Sequence, residues 1–183
     1  MAIKTDSEVV VGVGACGFAA LPTVSLATYA LGSCIAVVAW DWKLRVGGLL
    51  HAMLPDSSID RARAASEPFV YVDTGVPELF RRLEQGGASK RRIRCCLAGG
   101  ASMVLDPVRF EIGKRNYLAA RKAFWKLGAF IDQEDVGGVE TRSLRLDLST
   151  GQIDMRKGIG PGRIFVPPGI GFGKGEHDAS PAR

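Results

Sequence analysis

Residues 31–54, LGSCIAVVAWDWKLRVGGLLHAML, decide how this chain folds. Two apolar runs, Cys34 to Trp40 and Val46 to Leu54, flank a short polar break. Each is strand-length and bounded by polar or glycine residues, so the pair predicts an antiparallel hairpin centred between Trp42 and Lys43. In that register Cys34 stands opposite His51, with both side chains on one face and Cβ atoms about 4.5–5.5 Å apart. A one-residue slip would send them to opposite faces.

The rest of the chain continues in this way. Strands are expected at Glu8 to Val13, around Val24 to Thr28 and at Ile93 to Leu97. Val72, Val76, Leu79, Phe80 and Leu83 follow helical spacing, with Pro77 placed in the first turn and Gly86-Gly87 as the stop. A second helix is expected from Asn116, with Tyr117, Ala120, Phe124 and Leu127 on one face and Gly128 ending it. Leu144, Leu146 and Leu148, the turn Ser149-Thr150-Gly151, then Ile153 and Met155 predict a further hairpin. Strands outnumber helices, and the helices cluster mid-chain. The expected fold class is therefore α+β: a layered, largely antiparallel sheet or sandwich core with helices packed on it. One domain over residues 1–158 is expected, followed by a loose tail over 159–183, where ten of 25 residues are Gly or Pro.

The chain has 183 residues, 46% hydrophobic and 23% charged, as suits a globular domain with a real core. No apolar run is long enough to span a bilayer, and MAIKTDSEVV carries no export signal, so a cytoplasmic protein without membrane insertion is expected. The net charge of +5 favours acidic partners. Lys90, Arg91, Arg92 and Arg94 form the densest basic cluster, read as a solvated strand entrance. No zinc-finger spacing or RNA-binding aromatic signature accompanies it, so nucleic acid is not an expected partner.

Cys16, Cys34, Cys95 and Cys96 form no CxxC pair, and only His51 and His177 could join them. Neither a disulfide framework nor a metal site is expected, and no cofactor. Cys95 and Cys96 read as filler in a buried strand. Gly12, Gly14 and Gly17 spell G-x-G-x-x-G, yet FAALPTVS after them, with Pro22 and β-branched residues, cannot open the helix a dinucleotide site requires.

Cys34 follows Gly32 and Ser33 at the edge of its strand, where a thiol is reachable. A free thiol with a pKa of about 8.5 is mostly protonated at neutral pH, and an adjacent imidazolium would favour the thiolate. The imidazole would then need a third group to fix its tautomer. Spacing alone leaves open an inert packed cysteine beside a surface histidine.

Several blocks together resemble the CheD family, the chemoreceptor glutamine deamidases of bacterial chemotaxis. They are LGSCIAVVAWD (31–41), VGGLLHAMLPDS (46–57), LAGGASM (97–103), IGKRN (112–116), EDVGG (134–138) and STGQIDMRKG (149–158), which with the first strand cover roughly residues 8 to 158. The resemblance implies a protein-glutamine glutaminase with Cys34 as nucleophile, His51 as acid and base, and Thr28, six residues before the cysteine, as the orienting group. It also implies a layered α/β/α-like domain related to deamidating bacterial toxins. The implied partners are the cytoplasmic domains of methyl-accepting chemoreceptors and a CheC-type phosphatase, with the protein located at receptor arrays. Gly32, Ser33, Gly99, Gly100 and Ser102 are the candidate oxyanion or substrate-binding residues. The rival readings are a regulatory binding module, a receptor methylesterase and a thiol redox sensor.

Overall fold

A computed structural model describes residues 7–22, 25–102 and 107–165. Among these residues lie ten strands and three α-helices, arranged as two five-stranded sheets and a helical layer. The first sheet runs in the order β1 (Glu8–Val10), β3 (Ser25–Leu31), β8 (Arg142–Asp147), β9 (Ile153–Lys157), β10 (Gly162–Phe165). The second runs β2 (Ala15–Ala20), β5 (Val46–Ala52), β4 (Ile35–Asp41), β6 (Ile93–Gly99), β7 (Gln133–Val136). Pairing is antiparallel except for β1 with β3 and β6 with β7. This is the α+β sandwich that the alternating and continuous apolar runs imply.

Strand β4 is buried at all seven positions because both its faces are covered. Ala36, Val38 and Trp40 face the other sheet, meeting Leu26, Leu144, Leu146 and Met155. Ile35, Val37 and Ala39 face α2 (Val72–Gln85) and α3 (Pro107–Leu127), which meet each other through an edge-to-face Phe80–Phe124 contact at 5.6 Å. Cys95 and Cys96, adjacent on β6, fill one core each. Both long helices lie on the same side of the second sheet. Among the described residues the layers are therefore sheet, sheet, helices, and not helices on both faces.

Several local expectations are corrected. The β4–β5 hairpin pairs Ile35 with Ala52 and Asp41 with Val46, so its centre lies between Lys43 and Leu44. The cause is the Asp41 carboxylate, which accepts the N–H groups of Lys43 and Leu44 and builds a four-residue loop ending in Arg45 at φ +55°. The register moves by two residues and the facing of every side chain survives. Helix α2 begins at Val72, so Pro77 lies beyond the first turn and removes one backbone hydrogen bond. Helix α3 starts at Pro107, a favoured first helical residue, which makes Asn116 a mid-helix residue and not its start.

Ala15–Ala20, within and after the glycine lettering, is strand β2, paired with β5. A short helix α1 (Arg61–Ser66) and strand β7 carry no clear sequence signal. The segment read as a loose tail opens with β10, paired along β9 from Gly162–Arg156 to Phe165–Ile153. His177 lies outside the described residues.

Candidate active site

Strand β3 brings the first component. Leu26 and Thr28 point between the sheets, and a bulge between Thr28 and Leu31 lets Leu31 point inward again. Thr28 is fully buried. Its hydroxyl donates to the Val11 carbonyl at 2.7 Å and lies 2.8 Å from Nδ1 of His51, which reaches it from β5 in the opposite sheet. The hydroxyl has a single proton, already given to Val11, so it accepts from Nδ1–H. The imidazole is thereby fixed with its proton on Nδ1 and a lone pair on Nε2.

That Nε2 is buried and has no hydrogen-bond partner among the described residues. Leaving a buried polar atom unpaired costs about 1–3 kcal/mol, which a structural histidine would avoid. His51 is only 1% exposed, so the surface-histidine reading fails. In the ladder His51 opposes Ala36, and Cys34, one residue before β4, packs with Ala36 and Val38 in the inter-sheet core. Cys34 and His51 are thus diagonal neighbours on one face. Such neighbours lie about 7–8 Å apart, with their Cβ atoms somewhat closer, within reach of an aromatic side chain. Cys34 remains half-exposed at the rim while its prospective base is enclosed.

Burial acts on both groups in the same sense. It raises the Cys34 thiol above its ordinary 9.0, against a smaller lowering by its own backbone N–H, and pushes His51 down to about 4. The Val11 carbonyl opposes the shift at His51 only partly. The resting pair is therefore uncharged, and the thiolate–imidazolium pair expected from the sequence is disfavoured by desolvation. Cys16 and Cys96 are driven further, to about 12, and Cys95 also rises strongly, which leaves Cys34 the most readily ionised of the four thiols.

The glycine loop braces the nucleophile. Gly100 N–H donates to the Cys34 carbonyl at 2.7 Å, Ala101 N–H to the Gly32 carbonyl at 2.8 Å, and Ser102 N–H to Gly138 at 2.7 Å. The backbone N–H groups of Gly100 and Ser102 are thus engaged, which leaves these residues the substrate-binding part of their expected role. Gly99 lies at φ +107°, and a Cβ there would stand 2.3 Å from the Cys34 carbonyl oxygen. Gly32 and Ser33 form the half-buried bend that carries Cys34. In a regular ladder the Cys34 N–H would bond the Gly100 carbonyl. With Gly100 at φ +62°, that carbonyl lies against Gly113, and the Cys34 N–H donates to no other backbone carbonyl among the described residues.

Spacing arguments missed one residue here. Asn116 is fully buried and its Nδ2 donates to the carbonyls of Ser33 at 2.9 Å and Met53 at 3.0 Å. The signal was available, since Asn116 falls in the helical stripe Gly113, Asn116, Ala120, Phe124, and a polar residue in a buried stripe needs partners. Among the described residues, no group of three or more His, Cys, Asp or Glu is placed to hold a metal ion.

A family described as CheD chemotactic sensory transduction matches residues 53–157, more than half of the chain. The chain belongs to the CheD family. It is 44% identical over 160 residues to a probable chemoreceptor glutamine deamidase CheD of Solibacter usitatus, covering 87% of this chain and 94% of that protein. A match of that length runs across Thr28, Cys34 and His51. Similar CheD proteins occur in Syntrophus aciditrophicus, 47% identical over 74% of this chain and 85% of that one, and in Pyrococcus abyssi, 42% identical over 74% and 83%. No described helix of this CheD protein is long and apolar enough to cross a membrane.

Proposed function

We propose that this chain is a chemoreceptor glutamine deamidase, a protein-glutamine glutaminase that hydrolyses receptor Gln side chains to Glu and ammonia. The observation that carries the reading is the buried Nε2 of His51, unpartnered among the described residues and held in one tautomer by Thr28 on the face that bears Cys34.

The resting groups are neutral, so attack and proton transfer are coupled. The Cys34 thiol gives its proton to His51 Nε2 as Sγ bonds to the carboxamide carbon. The carbonyl electron pair moves to oxygen, and the Cys34 N–H, with Ser33 as a further donor, holds the oxyanion. Collapse re-forms the carbonyl and expels ammonia, which takes the proton from His51 and leaves a thioester. Nε2 then deprotonates a water that attacks the thioester. The Cys34 sulfur leaves and regains the proton, and glutamate is released.

The expected substrate is the acidic cytoplasmic region of a chemoreceptor. The protein's net charge of +5 and the exposed Arg61 suit such a partner. Lys90 and Arg92 are poorer docking candidates because they answer Glu84 and the buried Asp41. The family resemblance adds two further elements, association with a CheC-type phosphatase and residence at receptor arrays.

Mass spectrometry of receptor cytoplasmic fragments incubated with wild type and Cys34→Ala tests the function. Gln-to-Glu conversion by wild type alone is expected. Conversion by both proteins, or by neither across a broad receptor panel, overturns it. Matched Gln and methyl-Glu peptides separate deamidase from methylesterase. A pure binding module would keep its signalling effect in Cys34→Ala.

A further inference from the structure

Helix α3 approaches the back of the nucleophile's bend more closely than ordinary packing allows. A Cβ at Gly113 would lie 2.6 Å from the carbonyl oxygens of both Gly100 and Ala101. One turn later, Asn116 places its amide nitrogen between the Ser33 and Met53 carbonyls. These two carbonyls sit just past the last paired residues of the β4–β5 ladder, Ile35 and Ala52. Beyond that rung the strands part, and Met53 N–H turns to the Val70 carbonyl at 2.9 Å. Asn116 therefore ties together the two strand ends that carry Cys34 and His51.

The Ser33 carbonyl has a second significance. It belongs to the same planar peptide unit as the Cys34 N–H. A donor at one end of that unit fixes its orientation and polarises it, which strengthens the N–H at the other end. That N–H is the one left without a ladder partner by the left-handed Gly100. A primary amide has two protons to give, so a single neutral side chain satisfies both carbonyls. Neither a carboxylate nor an aliphatic residue can do so.

We infer that Asn116 is a positioning residue for acyl transfer to Cys34: it locks the Ser33–Cys34 peptide plane so that the Cys34 N–H points at the developing oxyanion. The inference rests on the deamidase reading for its natural substrate, but the step it governs is any attack of Cys34 on a carbonyl. The oxyanion exists only after attack, so losing the lock lowers kcat and leaves KM nearly unchanged.

The test compares wild type, Asn116→Ala and Asn116→Asp, with each rate normalised to Cys34 titrated by iodoacetamide. Two reactions are read: deamidation of a receptor Gln peptide, and acylation of Cys34 by p-nitrophenyl acetate, which passes through the same kind of oxyanion. The expected result is a loss of about 10–100-fold in kcat and in acylation rate for both variants, with KM within about twofold. A purely structural role would lower the melting temperature and the titratable fraction while leaving the rate per titrated Cys34 at the wild-type value, and that result overturns the inference. Wild type that is acylated but inactive on every Gln peptide would sink the deamidase reading alone. Should both variants fail to fold, solvent exchange of the Asn116 side-chain protons in wild type decides. Slow exchange supports the lock, and exchange at the rate of an exposed amide contradicts it.

Discussion

His51 Nδ1 lies 2.8 Å from the Thr28 hydroxyl, whose own proton goes to the Val11 carbonyl. The two sheets are joined at the site by this chain, and it leaves Nε2 as the basic nitrogen. Thr28→Val keeps the volume and removes both bonds. Its kcat is expected to fall about 10–100-fold and its stability by about 1–3 kcal/mol, with Thr28→Ser recovering most of both. Steady-state kinetics and denaturant melts read the two effects. Equal kcat in Thr28→Val and wild type would remove Thr28 from the mechanism.

The histidine sets an acid limit. Its ordinary value is 6.5 and burial brings it to about 4, so between these values the unfolded chain binds a proton that the folded one refuses. Stability is intact above pH 6.5 and falls as pH drops toward 4, by on the order of 3 kcal/mol. Deamidation is expected to hold down to about pH 4 as long as the protein stays folded. Denaturant unfolding of wild type and His51→Asn between pH 4 and 7 reads the difference. The variant should lack this part of the slope, and parallel slopes would contradict the buried neutral imidazole.

At the alkaline end Cys34 acts in the opposite sense. Its thiol is raised above 9.0, so stability is lost as pH climbs past 9.0, where the unfolded thiol ionises first. The same shift governs reactivity. Alkylation of the substrate-free protein should be slow at pH 7, rise only above pH 9, and reach Cys34 before Cys16, Cys95 or Cys96. Peptide mapping after timed iodoacetamide treatment gives this order. Fast labelling of Cys34 at pH 6 would show a preformed thiolate.

Gly99 leaves no room for a side chain. A Cβ would meet the Cys34 carbonyl at 2.3 Å, and φ +107° is foreign to L-residues. Gly99→Ala is expected to destabilise the fold by about 1–3 kcal/mol and to cut activity by more than its folded fraction explains, because the displaced atom belongs to the nucleophile. A variant that melts early yet keeps full activity per folded molecule would show that the brace is only structural.

The layout of β4, β5, α2 and the β8–β9 hairpin was legible in the sequence because each carries an uninterrupted hydrophobic period. The hairpin register was not, since it depends on one buried carboxylate, Asp41, capturing two N–H groups of its own turn. Strand β2 was hidden because Ala15–Ala20, apart from Phe18, is built of small residues that give no alternation. Cys34 and His51 could be paired from the text even with the register two residues off, since facing repeats every two residues. Thr28 could not, because its role comes from the opposite sheet, and only the resemblance pointed to it. Asn116 showed itself only as a polar residue in a buried helical stripe; its partners are backbone carbonyls, which carry no residue identity.

The central claim is that the Cys34 sulfur becomes covalently joined to the substrate carbonyl. Acid quenching of the protein during turnover of a receptor Gln fragment, followed by peptide mapping, tests it most directly. The predicted result is a receptor peptide linked through its former glutamine to the peptide containing Cys34, absent in Cys34→Ala and cleaved by hydroxylamine. Gln-to-Glu conversion proceeding at the wild-type rate in Cys34→Ala, with no such adduct in either protein, would contradict the account.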